Sequence, residues 1–222
     1  MDDAVDTADF AAKWTARWPE WAIARTFVPP AEHADAEAWF ALLQEWAEAA
    51  WAGEEPTPGL AKLAWWEEEL RGWTRGLRRH PLGRDLQRRS APWGPLADAL
   101  AGLRETREAV RAGGDPEVIA ARMEGFAIAC GACETALFTG EASAPSPVHA
   151  LLGAHILWHG DAAHAARLLA AWPAAPAATR ARRVHDALVR ARLAAGADRL
   201  RAPLSPVRVL WTAWRAARDR SD

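Results

Sequence analysis

With 222 residues, the chain suits one large domain or two small ones, and a composition half apolar and one quarter charged excludes a disordered polypeptide. Two cysteines cannot staple a secreted scaffold, and no run approaches the roughly 18 uninterrupted apolar residues of a membrane span. The opening Met1-Asp2-Asp3-Ala4-Val5-Asp6 is acidic where a secretory leader is basic and then greasy, so a cytoplasmic location is expected. The net charge of −2 hides an imbalance: residues 1–70 hold 15 acidic and 4 basic side chains, and residues 71–222 hold 14 and 23. Two mutually attracting faces explain that division, and an anion site in the second part is the alternative.

Alanine is the most frequent residue, 25 arginines stand against 2 lysines, and 14 tryptophans accompany no tyrosine. Alanine, arginine and leucine favour helices, and strand formers other than tryptophan are sparse, so an all-α fold is expected. Proline and glycine divide the chain into about eight helical segments. The first covers about 4–18 and stops before Pro19. The second, about 32–52, is entered through Pro29-Pro30 and closed by Gly53. The third follows Pro56-Thr57-Pro58 and runs to about 79, ahead of His80-Pro81. A fourth extends from near Pro95 to Gly113-Gly114. Asp115-Pro116-Glu117 combines a cap, a first-turn proline and a dipole-favoured acid, opening a helix to about 139. Ser146-Pro147 repeats that opening for a helix to about 171. Residues 172–178 read as a stiff Pro/Ala linker, followed by helices at about 179–196 and 205–219. No repeat at solenoid periods is present, so a single helical bundle over residues 1–222 is the simplest architecture.

Several constellations could carry chemistry. Glu45 and Glu48 share one face of the second helix, as two metal-holding carboxylates must, although a solvated face is the commoner fate of such a pair. Glu67, Glu68 and Glu69 are consecutive, fan around their helix and read as surface. Cys130-Gly131-Ala132-Cys133 has the spacing of a redox dithiol but falls in mid-helix, away from the helix N-terminus that lowers a thiol pKa. His155 and His159 are four apart on a face with Val148, Leu151 and Leu152 and so point inward. Lacking a third ligand or an adjacent glutamate, they read as core or pocket histidines, and no metal set is assigned. Arg71, Arg75 and Arg78 or Arg79 repeat at helical spacing, giving either a phosphate clamp or a solvated stripe paired with the acidic helices. A pI near 6.4 and the lack of a binding motif argue against nucleic acid. Ten of the tryptophans precede residue 94, where they either fill a core or line an aromatic cavity suited to an isoprenoid tail.

Phe27-Val28-Pro29-Pro30, with Ala38-Trp39-Phe40-Ala41-Leu42 and Gln44-Glu45 following, resembles the opening of squalene and phytoene synthases. Leu63-Ala64-Trp65-Trp66-Glu67-Glu68-Glu69-Leu70 with His80-Pro81-Leu82, Phe126-Ala127-Ile128-Ala129 with Gly131, and Leu152-Gly153-Ala154 extend the resemblance in order over roughly residues 20–160. A looser echo lies at 199–215. The resemblance implies an isoprenoid-synthase-like bundle around an apolar cavity, in which two aspartate-rich helices hold magnesium against a prenyl diphosphate. The aspartate motifs are eroded here. Ungapped alignment leaves only Glu48 in the first motif, and a register shifted by three keeps Glu45 and Glu48. The second motif lands on Ala163-His164, with Asp161 alone nearby.

The resemblance therefore implies a catalytically degenerate protein that binds an isoprenoid or prenyl diphosphate, with Arg71, Arg75, His155 and His159 as substrate-binding candidates. One alternative is an active, divergent prenyl transferase in which Glu45 and Glu48 are the catalytic metal-holding residues, and only that alternative needs magnesium. Another is a non-catalytic assembly or scaffold protein, as eukaryotic relatives of the family assist respiratory-complex assembly. Carboxylates lining an open cavity mouth favour the transferase, and a cavity filled by tryptophan favours the scaffold. Peripheral membrane contact suits a handler of greasy substrates, although no helix shows a clear basic-amphipathic pattern in the sequence.

Overall fold

The structure, a computed structural model, describes residues 2–138, 146–173, 179–196 and 200–218. Among them there is no strand, so the all-α expectation holds. In chain order the helices are α1 (Asp2–Arg17), α2 (Trp21–Ala24), α3 (His33–Trp51), α4 (Pro56–Trp73), α5 (Gly83–Leu86), α6 (Trp93–Ala99) and α7 (Ala101–Glu105). They continue with α8 (Arg107–Arg111), α9 (Pro116–Arg122), α10 (Glu124–Leu137), α11 (Ser146–His159), α12 (Ala162–Ala170), α13 (Arg180–Leu193) and α14 (Pro206–Arg218).

Each of the eight expected segments contains helix, but three are broken and the short α2 and α5 lie outside them, so the described helices outnumber the expectation. Residues 93–111 form α6, α7 and α8, residues 116–137 form α9 and α10, and residues 146–170 form α11 and α12. The turns at Leu100, Thr106 and Met123 carry neither proline nor glycine, which is why the sequence did not announce them. At Thr106 the cause is chemical: its hydroxyl donates to the carbonyls of Gly102 at 2.9 Å and Leu103 at 3.2 Å, competing with the helical ladder. The third segment stops at Trp73, because the chain reverses through Gly76 in the left-handed region at φ 76°. Of the expected linker at 172–178, residues 174–178 lie outside the described residues.

Where capping chemistry was legible, it works as expected. Asp115 accepts from the Glu117 amide and Pro116 occupies the first turn of α9. Asp161 and Thr179 cap α12 and α13 in the same way.

Helix α3 is buried along nearly its whole length, including Trp39, Phe40, Leu42, Trp46 and Trp51. A helix buried along nearly every side must be surrounded, and α1, α4 and α11 pack around it together with the short α5, α7 and α8. Helix α10 packs on α6 and α11, while α13 lies against α11 and α14. The buried side chains join in one continuous cluster.

The charge division of the sequence is resolved as two faces that attract. Arg89 pairs with Asp35 at 2.7 Å, Arg104 with Glu67 at 2.7 Å and Arg192 with Glu20 at 3.2 Å, each joining the basic second part to the acidic first. Among the described residues no helix is long and apolar enough to cross a membrane.

Candidate functional site: the carboxylates of the central helix

Glu45 and Glu48 stand one turn apart on α3, facing α1. Lys13 Nζ donates to Glu45 Oε1 at 2.7 Å and to Glu48 Oε2 at 3.1 Å. Lys62, from α4, donates to the other oxygen of Glu45 at 2.6 Å, and Arg17 takes the second oxygen of Glu48. Glu45 is buried, contrary to its reading as solvated face. Burial alone would raise its carboxyl pKa, but hydrogen bonds and charge from Lys13 and Lys62 overcome that and hold it below the ordinary 4.5. The two lysines of the chain thus both serve one buried glutamate.

Three cations bind these two carboxylates, so the cluster carries a local surplus of positive charge. A magnesium ion needs unshared carboxylate oxygens and would meet Lys13, Lys62 and Arg17 where its ligands should open. The donor set does not fit the ion. At the counterpart of the second motif, Asp161 is spent on the backbone amide and ring of His164, both within α12 and its cap. Among the described residues no group of three histidine, cysteine or acidic side chains could hold a metal.

His155 and His159 project from α11 with rings stacked at 4.8 Å, and His155 meets Trp51 edge-on at 5.6 Å. Burial, then the positive charge of neighbours, lowers His155 to about 4. His159 is lowered by burial and Arg17, against the pull of Glu48. His155 thus turns toward the end of α3 that carries Trp51, whereas His159, expected to point inward, is exposed because it lies in the last turn of α11.

Arg71 and Arg75 do not join that cluster. Lys62 precedes Arg71 by nine residues, about 13 Å along α4. Arg71, Arg75, Arg78 and Arg79 instead line an open groove of about 580 Å³ with Glu68 and Glu69. Arg71 is held by Asp98 at 2.7 Å and Arg79 by Glu69 at 3.0 Å, whereas the Arg75 guanidinium has no ion-pair or hydrogen-bond partner among the described residues. Glu69, read from sequence as surface, is buried and accepts from the Trp73 indole and the backbone amides of Arg79 and His80. It thereby pins the turn that shapes this groove.

Most of the tryptophans before residue 94 settle in the core. Trp14, Trp18, Trp21, Trp39, Trp46, Trp51 and Trp66 are all but inaccessible, and Trp14, Trp21, Trp39, Trp46 and Trp66 meet one another or Phe40 edge-on or stacked. Indole N–H groups of Trp39 and Trp51 donate to Glu134 and to the Leu103 carbonyl. Of the two fates open to these tryptophans, filling a core or lining a cavity, the described side chains take the first.

One polar constellation escaped the sequence reading. Glu134 on α10 meets Arg182 on α13, and Arg182 also reaches Asp186 at 3.4 Å, all buried. The Arg182 guanidinium sits 4.9 Å over Phe40, against which the His185 ring also stacks at 4.3 Å. The i, i+4 spacing of Arg182 and Asp186 was visible, but nothing local says that α13 faces inward. Cys130 and Cys133 lie beside this network, buried and free, with both thiols raised by burial and by Glu134, which suits packing and not redox exchange.

Comparison of the chain with protein-family models, with curated proteins and with solved structures gives no match.

Proposed function

We propose that this chain is a squalene/phytoene-synthase-like helical protein without prenyl-transfer chemistry, and that it works by binding, as an assembly or scaffold protein does. The neutralised pair Glu45 and Glu48 carries this reading: the carboxylates that would hold magnesium are consumed by Lys13, Lys62 and Arg17 as structural cross-links between α1, α3 and α4. The tryptophan-filled core supports it further, since prenyl transfer needs room for two isoprenoid chains.

A second reading rests on the arginine groove. Arg75, unpaired in a space of about 580 Å³, is placed to clamp the diphosphate of an isoprenoid without a metal. Calorimetric titration with farnesyl and geranylgeranyl diphosphate, with and without magnesium, separates the readings when paired with a product assay. The scaffold reading expects neither binding nor product. Magnesium-independent binding lost in Arg75→Ala selects the groove, and magnesium-dependent binding or any prenyl product refutes both.

A further inference from the structure

Helix α14 shows a second, unsatisfied face. Val209, Ala213 and Ala216 are buried, and the helix is seated on α13 and α2. On the opposite side Val207, Leu210, Trp211 and Trp214 recur at i, i+3, i+4 and i+7, so they line one stripe. That stripe faces outward: Val207 is 77% exposed and Trp211 61%. The Trp211 and Trp214 rings lie 5.0 Å apart, presenting one broad aromatic surface. Arg208, Thr212 and Arg215 gather on one arc of the helix and the apolar residues fill the rest, so only the packing tells which part of that broad apolar arc is left bare.

The charge around the stripe is of one sign. Ser205 to Arg218 contains no aspartate or glutamate. Arg215 borders the stripe and Arg218 closes it, its guanidinium 4.6 Å over the Trp214 ring. Arg218 also lines, with Arg180, Thr26 and Phe27, an open groove of about 660 Å³ at the end of the helix. Arg180, Arg215 and Arg218 have no carboxylate partner among the described residues, whereas Arg17, Arg25, Arg71, Arg79, Arg89 and Arg104 are all ion-paired. Arg208 is turned away, donating to the Ala191 carbonyl.

We propose that α14 is an interfacial helix, laying Val207, Leu210, Trp211 and Trp214 into the surface of an anionic phospholipid bilayer while Arg180, Arg215 and Arg218 meet headgroup phosphates. Exposed indoles and unpaired guanidiniums on one side of a helix match the two zones of a lipid surface, apolar below and anionic above. With 13 residues the helix spans about 20 Å and lies in the plane, too short to cross. This inference is independent of whether the arginine groove beside Arg75 binds anything.

Flotation of the full chain with vesicles of phosphatidylcholine alone, and of phosphatidylcholine mixed with phosphatidylglycerol, tests the proposal. Binding is expected only to the anionic vesicles and weakens as salt is raised. Charge reversal in R215E/R218E is expected to lower it at least about tenfold. W211S/W214S abolishes it, while I128S, at an equally exposed apolar residue of α10, leaves it unchanged. Far-UV circular dichroism establishes that each variant remains folded. Absence of flotation, or flotation unaffected by W211S/W214S, overturns the proposal. So does a dimer in light scattering that W211S/W214S dissolves, since a second copy of the chain would then cover the stripe.

Discussion

Lys13 Nζ lies 2.7 Å from Glu45 Oε1, a contact that ties α1 to the central helix across 32 residues of chain. Because Glu45 is buried and Lys13 and Lys62 remain half-exposed, the glutamate depends on them more than they depend on it. Removing one lysine leaves the other in place, so Lys13→Met or Lys62→Met costs about 1 kcal/mol. The double variant leaves a buried carboxylate without a cation and costs about 3 kcal/mol or more, beyond additivity. Urea unfolding at neutral pH measures both. Glu45 is lowered in the fold, so its contribution is complete above the ordinary 4.5 and disappears as pH falls through the lowered value. Repeating the Lys62→Met comparison in acid must therefore shrink the difference.

The ionic network of α10 and α13 has a different logic, since none of its members reaches water. Arg182→Met strands Glu134 and is expected to destabilise by about 3–5 kcal/mol. Replacing all three partners in E134Q/R182M/D186N removes the charges together and recovers much of that loss. Thermal unfolding that shows the triple variant no better than R182M would contradict this account.

These two ionic clusters mark the limit of what the sequence disclosed. Helix positions were legible because Pro19, Pro56, Gly53 and Asp115-Pro116 act locally, through backbone geometry and capping. The fates of Glu45, Glu69 and Glu134 were not, because each is decided by donors outside its own helix, for Glu69 the turn that follows and for the other two a different helix. Helical spacing showed that Glu45 and Glu48 share a face, but whether a lysine, a metal or water meets that face is a tertiary fact. The same holds for α14: its apolar arc is broad, and only packing on α13 reveals which part of it is left bare.

Histidines withdrawn from water, His80 and His155 in part and His185 almost wholly, give the protein an acid-sensitive side. Burial lowers His80, enclosed by Phe10, Trp65 and Trp66, to about 4, as it does His155. Between 6.5 and about 4 the unfolded chain takes up these protons first, so stability falls as pH drops through that window. Asp186 has the opposite sign: burial raises it, against Arg182, to about 7, and its contribution favours the fold on acidification. The difference between the parent chain and His155→Phe isolates one site. The substitution is expected to cost more at pH 7 than at pH 5, by up to about 2 kcal/mol. A pH-independent difference would sink the assignment.

Two glycines should respond in opposite directions to the same added methyl group. Gly59 lies in the first turn of α4 against α3, and a Cβ there would fall 2.0 Å from the Ala49 carbonyl oxygen. The obstacle is backbone of the buried helix and cannot rotate away, so Gly59→Ala pushes α4 off α3 and destabilises by about 1–3 kcal/mol. Gly125, in the first turn of α10, has nothing within 4 Å of that position. Alanine there restricts the unfolded chain and suits the helix, so Gly125→Ala is expected to stabilise by about 0.5 kcal/mol. Chemical denaturation of the two single variants reads both signs directly. If Gly59→Ala is neutral, the close approach of α4 to Ala49 is wrong, and with it the placement of Lys62 over Glu45.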